Sequence, residues 1–467
     1  MDIGMIGLAV MGSNLALNMA DNGFKVACWN YTPDLTEKFS NEHPHENIKC
    51  FYDLKEFVNS LDKPRKIMLM IMSGSPVDSV IESLVPLLDK GDIISDGGNS
   101  FFEDTVRRHD FLKSRGINYF GTGISGGEKG ARFGPCIMPG GDKSAYENIR
   151  PIYEKISAKS GGEPCCAYIG AGGAGHYVKM VHNGIEYADM QLIAETYLLL
   201  KKIGGLSNAE ISKIFDEQNH GDLKSFLIGI TADIFAEDDD EAGGQLVDYI
   251  EDSAGQKGTG RWTSIEALKL GVNVSIMTAA CNARVMSNLK NLRRDFSKDF
   301  SAPAKVAPDK NFVEDVCRSL YAGKIAAYAQ GFSLYRAASE NFKWNLDFGK
   351  IAAIFRAGCI IQADFLNKIT DAYKKNPGLE NLMQDDFFRE KIKINLPGLR
   401  RTVALAVQNG IPVPALTNAV EYIDALSGSL LGANLIQAQR DYFGSHTFRR
   451  IDRDGVFCHD WKEHYKK

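Results

Sequence analysis

Nothing in this chain has the spacing of a disulfide framework or a zinc site. Its nine cysteines include no C-x-x-C pair, and Cys165 and Cys166 are neighbours. The thiols are therefore expected to be reduced and mostly buried as small apolar groups. A run of about 18 apolar residues is also missing, which argues against a membrane span. No charged leader precedes the first apolar segment at Ile3, so the expected location is cytoplasmic rather than secreted. Positive charge is not in excess. The formal net charge is -5, which gives no bulk electrostatic reason to expect a nucleic-acid partner. No short-period repeat is visible.

What is present is a large apolar fraction, 44% of 467 residues, enough for roughly two to three domains. Apolar runs at 3–8, 25–29, 66–72, 92–95 and 118–121 read as strands, with a helix at 12–22. The alternation implies an α/β, Rossmann-like, doubly wound domain over 1–175, built on a parallel sheet. A glycine-rich hinge at 170–175 follows. Helical periodicity then dominates, at 176–204, 207–216, 222–235, 262–270, 276–289, 311–341 and 399–409. These stretches are expected to form a large all-α domain over 176–430. The tail, 431–467, lacks a core of its own and is expected to lie on another surface, such as a second subunit. The acidic run 237–241 and the basic pairs Arg449-Arg450 and Lys466-Lys467 read as solvated surface.

Gly7, Leu8, Ala9, Val10, Met11 and Gly12 lie between the first strand and the first helix. Gly7 permits a tight turn, Ala9 lets a pyrophosphate approach, and Gly12 lets helix and strand pack closely. The second strand ends in Asn30-Tyr31-Thr32, with no carboxylate to repel a 2′-phosphate, which favours NADP over NAD. No arginine clamps that phosphate either. Tyr31 could stack on adenine, Thr32 could donate a hydrogen bond, and Lys38 could swing in.

The most informative segment is 176–190. Lys179, His182, Asn183, Glu186 and Tyr187 fall on one helical face, and Val178, Val181, Ile185, Ala188 and Leu192 form an apolar one. Oxidising a secondary alcohol needs a base for the hydroxyl proton, and a lysine serves if burial lowers its pKa. A nearby carboxylic acid can return a proton to carbon. Ser125-Gly126-Gly127 could form a backbone nest for a carboxylate, and Lys257 and Thr259 could hold a phosphate or hydroxyls. Taken singly, Arg284, Arg440 and His446 read as surface residues.

The motifs GLAVMG at Gly7, SDGGNS at Ser95, GISGGEKGAR at Gly123, KMVHNGIEYADMQLIAE at Lys179, DSAGQKGTGRWT at Asp252 and QRDYFGSHTF at Gln439 together resemble the 6-phosphogluconate dehydrogenase family, in family order. The resemblance implies oxidative decarboxylation of 6-phosphogluconate to ribulose 5-phosphate with NADP, and no metal. It implies that Lys179 is the base in oxidation and the acid in decarboxylation, and that Glu186 protonates C1 of the enediol. It places Asn99, Ser125, Gly126, Gly127, His182 and Asn183 at the carboxylate and hydroxyl end of the substrate. It places Tyr187, Lys257, Arg284, Arg440 and His446 at the phosphate end, the last two coming from the partner of a homodimer. Met72, Ser73, Gly74 and Asn99 would line the cofactor. Tyr31 stands where the family commonly has an arginine, and Met72 where many members have a lysine; both departures leave NAD open as cofactor. Lys129 replaces a common glutamate, with little consequence expected. A shorter β-hydroxyacid dehydrogenase and an inactive dinucleotide-binding protein are the competing readings.

Overall fold

The structure is a computed structural model that describes residues 1–256, 258–300, 303 and 305–461. The chain forms two compact units, Met1–Ala419 and Val420–Lys467. Lys257, Lys466 and Lys467 lie outside the described residues.

The first unit opens with β1 (Ile3–Ile6), α1 (Val10–Asp21), β2 (Val26–Trp29), α2 (Pro33–Glu42), β3 (Ile48–Cys50), α3 (Leu54–Asn59) and β4 (Lys66–Leu69). It continues with α4 (Ser75–Leu84), β5 (Ile93–Asp96), α5 (Phe102–Lys113), β6 (Asn118–Ser125), α6 (Gly127–Phe133), β7 (Cys136–Gly141) and α7 (Lys143–Ile156). The strands form one sheet in the order β3-β2-β1-β4-β5-β6-β7. β1, β2 and β5 are buried along their whole length, as strands covered by helices on both faces must be. The order reverses between β1 and β4, and such a switch point opens a ligand crevice at the strands' carboxyl ends.

The sheet departs from the all-parallel expectation at one edge. β7 runs antiparallel to β6, from Phe120↔Gly141 to Ser125↔Cys136. Its sequence, CIMPGG, carries a proline and two glycines, which hid it from a pattern reading. β6 has eight residues rather than the four expected, and β4 stops at Leu69, releasing Met70, Ile71 and Met72 into a loop.

Helices follow: α8 (Ala174–Lys202), α9 (Asn208–Asn219), α10 (Phe226–Ala236), α11 (Thr259–Leu270), α12 (Ser275–Asn288) and α13 (Lys290–Asp299). Then come α14 (Phe312–Phe342), α15 (Phe348–Ile354), α16 (Leu366–Lys375), α17 (Asp386–Gln408), α18 (Pro414–Ser427) and α19 (Ala433–Gly444). α17 is twice the length expected, because Pro397 inside it interrupts the pattern that a sequence reading follows. No helix among the described residues is long and apolar enough to cross a membrane.

α8 organises the first unit. Its start is seated on the sheet by glycines: a Cβ on Gly175 would collide with the carbonyls of Gly121 and Met138, and one on Gly140 would collide with Gly175. Farther along, Asp189 receives both of its hydrogen bonds from Lys324 of α14, each 2.7 Å and buried. Glu195 accepts from the backbone N–H groups of Ala415 (2.8 Å) and Leu416 (2.9 Å) in the first turn of α18, which caps a helix start with a carboxylate.

The second unit is organised around a polar hub. Buried Asp441 of α19 accepts from Thr447 N (3.0 Å), His459 N (2.9 Å) and Trp461 Nε1 (2.7 Å). These bonds hold its carboxyl down at about 2. Phe448 and Phe457 exchange backbone hydrogen bonds of 2.8 Å. Leu430, Leu431, Leu435, Ile436 and Phe443 remain exposed.

Candidate active site

The glycine turn is a cradle that only small residues allow. Gly7 has φ +99°, and a Cβ there would strike the Met70 carbonyl; one on Gly12 would strike the Gly7 carbonyl. α1 begins after Ala9, whose side chain offers no cap to the helix N–H groups. Leu8 N donates to Asn30 Oδ1 at 3.0 Å, and Asn30 Nδ2 donates to the Thr32 carbonyl at 3.1 Å. Asn30 thus latches the turn to the end of β2. Tyr31 beside it is 84% exposed, as the edge of a ligand site requires, and Met72 is 76% exposed. Val10 and Thr32 are exposed, and Met11 is half-buried. Lys38 sits in an exposed pair with Glu42 at 3.9 Å. An open cradle at a helix start that lacks a side-chain cap fits the pyrophosphate of a dinucleotide.

Two loops beside this turn are joined by Arg108, which is fully buried. Its Nε and Nη2 donate to Asp78 at 2.9 and 3.0 Å, and Nη2 also donates to the Gly74 carbonyl at 2.9 Å. Nη1 stands 3.7 Å from Asp96 Oδ2. Asp96 in turn accepts from Gly98 N (3.0 Å), Ser100 Oγ (2.6 Å) and Tyr119 OH (3.1 Å). The loop through Ser73 and Gly74 and the loop carrying exposed Asn99 are therefore framed by one guanidinium. Sequence reading passed over both Arg108 and Asp96; the acid before the glycine pair in SDGGNS was the available signal.

The five polar residues of α8 share a face, and that face is inside the protein. Lys179, His182, Asn183 and Tyr187 are buried and Glu186 is half-buried. His182 Nε2 lies 3.3 Å from Ser125 Oγ, and Nδ1 lies 3.1 Å from Asn183 Oδ1 and 3.8 Å from Glu186 Oε2. Asn183 Nδ2 donates to Thr259 Oγ1 at 3.1 Å, tying α8 to the first residue of α11. The Arg284 guanidinium stacks 3.6 Å above the Tyr187 ring, and its Nη1 donates to the Gly255 carbonyl at 3.0 Å. Gly126 (φ +114°) and Gly127 (φ +61°) lead from β6 into α6, a left-handed turn that a side chain would strain.

Burial pushes the Lys179 ammonium below the usual lysine range, with Glu186 partly opposing that shift. Burial raises the Glu186 carboxyl, opposed by Lys179 and Arg284. Burial, then the Lys179 charge, holds His182 far below its ordinary value, so its ring is neutral. Burial is the largest cause in all three cases, and it shifts each group toward its uncharged form.

The first unit thus brings together Ser125, Gly126, Gly127, Lys179, His182, Asn183, Glu186, Tyr187, Thr259 and Arg284. Arg440 and His446 stand in the second unit. Arg440 is exposed and donates to Gln437 Oε1 at 3.1 Å; the His446 ring packs edge-on to Phe443 at 5.9 Å.

A doubly wound sheet with a glycine cradle at its switch point, in one unit with a buried amine and a half-buried carboxyl on α8, defines a nicotinamide-dinucleotide oxidoreductase. Residues 2–170 match the NAD binding domain of 6-phosphogluconate dehydrogenase, and residues 175–461 match the C-terminal domain of 6-phosphogluconate dehydrogenase. The chain belongs to the 6-phosphogluconate dehydrogenase family. It is 55% identical over 462 residues to the decarboxylating 6-phosphogluconate dehydrogenase of Escherichia coli strain K12, covering 98% of each chain. It is 52% identical over 464 residues to the NAD(+)-dependent decarboxylating enzyme of Bacillus subtilis strain 168, covering 99% of each. A solved Plasmodium falciparum 6-phosphogluconate dehydrogenase, studied apo and in complexes with NADP+ and 6-phosphogluconate, superposes with TM-score 0.96 at 44% identity, over 99% of this chain and 100% of that one.

Proposed function

We propose that this chain oxidises and decarboxylates 6-phosphogluconate to ribulose 5-phosphate and CO2, with NADP as the cofactor. The observation that carries the reading is the pairing of buried Lys179 with half-buried Glu186, two turns apart on α8 and each shifted toward its neutral form. Neutral Lys179 Nζ takes the proton of the substrate C3 hydroxyl. The bound dinucleotide supplies the acceptor for the hydride leaving C3. Lys179, then an ammonium, hydrogen-bonds to the C3 carbonyl oxygen and draws electrons toward it as CO2 leaves. Glu186 delivers a proton to C1 of the enediol. The Ser125-Gly126-Gly127 turn, His182, Asn183 and Asn99 orient the carboxylate and hydroxyls. Tyr187, Thr259, Arg284 and Lys257 hold the phosphate end, with Arg440 and His446 supplied by the partner of a homodimer. The exposed leucines of the second unit support that last assignment.

The turn Gly7–Gly12, Tyr31, Thr32 and Met72–Gly74 would hold the dinucleotide. A second reading, NAD as cofactor, is favoured by one observation. The exposed side chains at 31 and 72 are a phenol and a thioether, neither able to pair with a 2′-phosphate charge. In the division of labour proposed here, 1–175 binds the dinucleotide, 176–430 binds substrate and pairs the subunits, and 431–467 completes the neighbouring site. Steady-state kinetics with 6-phosphogluconate and each dinucleotide, with CO2 release measured in parallel, test the reading. Dinucleotide reduction without CO2, or better turnover of 3-hydroxyisobutyrate, would overturn it.

A further inference from the structure

Cys28 and Cys50 face each other in the parallel pairing of β2 with β3. In-register residues on neighbouring strands project to the same sheet face, with backbones about 4.8 Å apart. That separation lies inside the span of about 4.4–6.8 Å that a disulfide bridges between Cα atoms. Both side chains pack into the same apolar cluster, Cys28 wholly and Cys50 at its margin. β3 is the edge strand, so β2 alone pairs with it through the sheet's backbone hydrogen bonds. Cys28 is inaccessible, whereas Cys50 is partly exposed.

The two thiols are chemically unequal. Hydrogen bonding from Cys28 lowers the Cys50 thiol, with Ser40 assisting and burial opposing. The Cys28 thiol is raised by that same contact and by burial. Cys136, Cys165, Cys166, Cys281, Cys317 and Cys359 are buried with thiols pushed up, which makes them poor first attackers of peroxide.

We propose that Cys28 and Cys50 are a peroxide-responsive dithiol that closes to a disulfide across β2 and β3. Cys50 Sγ attacks hydrogen peroxide, the O–O bond breaks, and Cys50 becomes a sulfenic acid with release of one water. Cys28 Sγ then attacks Cys50 Sγ, the S–O bond breaks, and a second water leaves. Two thiols lose two electrons and one peroxide gains them. The bond lies two residues before Asn30, the latch that holds Leu8 of the glycine turn. Tilting β3 onto β2 therefore strains the dinucleotide end of the site, a consequence that rests on the function proposed above.

The test is made on the full-length chain. After hydrogen peroxide treatment, intact mass falls by two hydrogens, peptide mapping joins the segments around 28 and 50, and dithiothreitol reverses both. Cys50→Ser, at a partly exposed position, abolishes the linkage while untreated activity stays at the wild-type level. The linked protein shows a dinucleotide KM raised by about fivefold and an unchanged 6-phosphogluconate KM. A Cys50 that stays reduced, or runs on to a sulfinic acid with no link to Cys28, overturns the dithiol. An unchanged dinucleotide KM in fully linked protein overturns its effect on the site. Turnover before peroxide is added reports separately on the proposed activity.

Discussion

Gly123 lies so close to Lys179 that a methyl group on it would sit 2.5 Å from Lys179 Cβ and 3.2 Å from the Gly175 carbonyl. The absence of a side chain at this position of β6 is what admits Lys179. Gly123→Ala is expected to push Lys179 outward by on the order of an ångström and to cut kcat by about a hundredfold, with helicity retained. Kinetics and circular dichroism on the purified variant check it; wild-type kcat would show that the amine tolerates the displacement.

Lys179→Ala should lower turnover by a factor of about a thousand or more, with dinucleotide binding retained. In the proposed mechanism the neutral amine is the base, so kcat/KM should fall as acid protonates Lys179. Because burial has lowered its pKa, that fall begins at a lower pH than an exposed lysine would give. Glu186→Ala should slow release of ribulose 5-phosphate severely; near-normal release would remove Glu186 from the proton delivery step.

Arg108→Met removes the guanidinium between Gly74, Asp78 and Asp96. Breaking a buried ion pair on one side costs about 3 kcal/mol, and the freed loop at Gly74 should raise the KM for the dinucleotide. Denaturant unfolding and dinucleotide titration measure the two effects. A variant of wild-type stability would mean that water replaces the guanidinium at little cost.

Tyr31→Arg places a charged fork where the exposed phenol now stands. NADP binding should tighten by about tenfold, and NAD binding should change little. An NADP affinity that does not move would mean that another group already holds the 2′-phosphate.

Burial raises Glu195 to about 7 from an ordinary 4.5, with the Leu416 and Ala415 N–H groups opposing. The folded chain therefore holds this proton more tightly than the unfolded chain. The stability it contributes is complete below about pH 4.5 and is lost as pH rises through about 7, on the order of 3 kcal/mol. Unfolding midpoints of wild type and Glu195→Gln at pH 5 and pH 8 should diverge by that slope. Parallel curves would place the titration elsewhere.

Much of this arrangement is legible in the sequence because it rests on local periodicity. The face shared by Lys179, His182, Asn183 and Glu186 follows from residue spacing alone, as does the turn at Gly7. What was not legible depends on long-range partners. β7 carries no alternation, since backbone pairing with β6 rather than its side chains makes it a strand. α17 continues through Pro397 because packing overrides a local break. Arg108 looks like any surface arginine until Asp78 and Asp96, 30 and 12 residues away, converge on it. The tail was expected to have no core of its own; Asp441 gives it a polar centre, which hydrophobic patterning does not register.

Where α8 is seated on the sheet, Gly175 meets the carbonyls of Gly121 and Met138 and the N–H of Gly140, peptide against peptide. Side-chain layers can repack when one residue is exchanged for another; stacked backbone cannot. The spacing between the sheet and the start of α8 is consequently gauged by main-chain atoms, which stay the same whatever side chains fill the surrounding core.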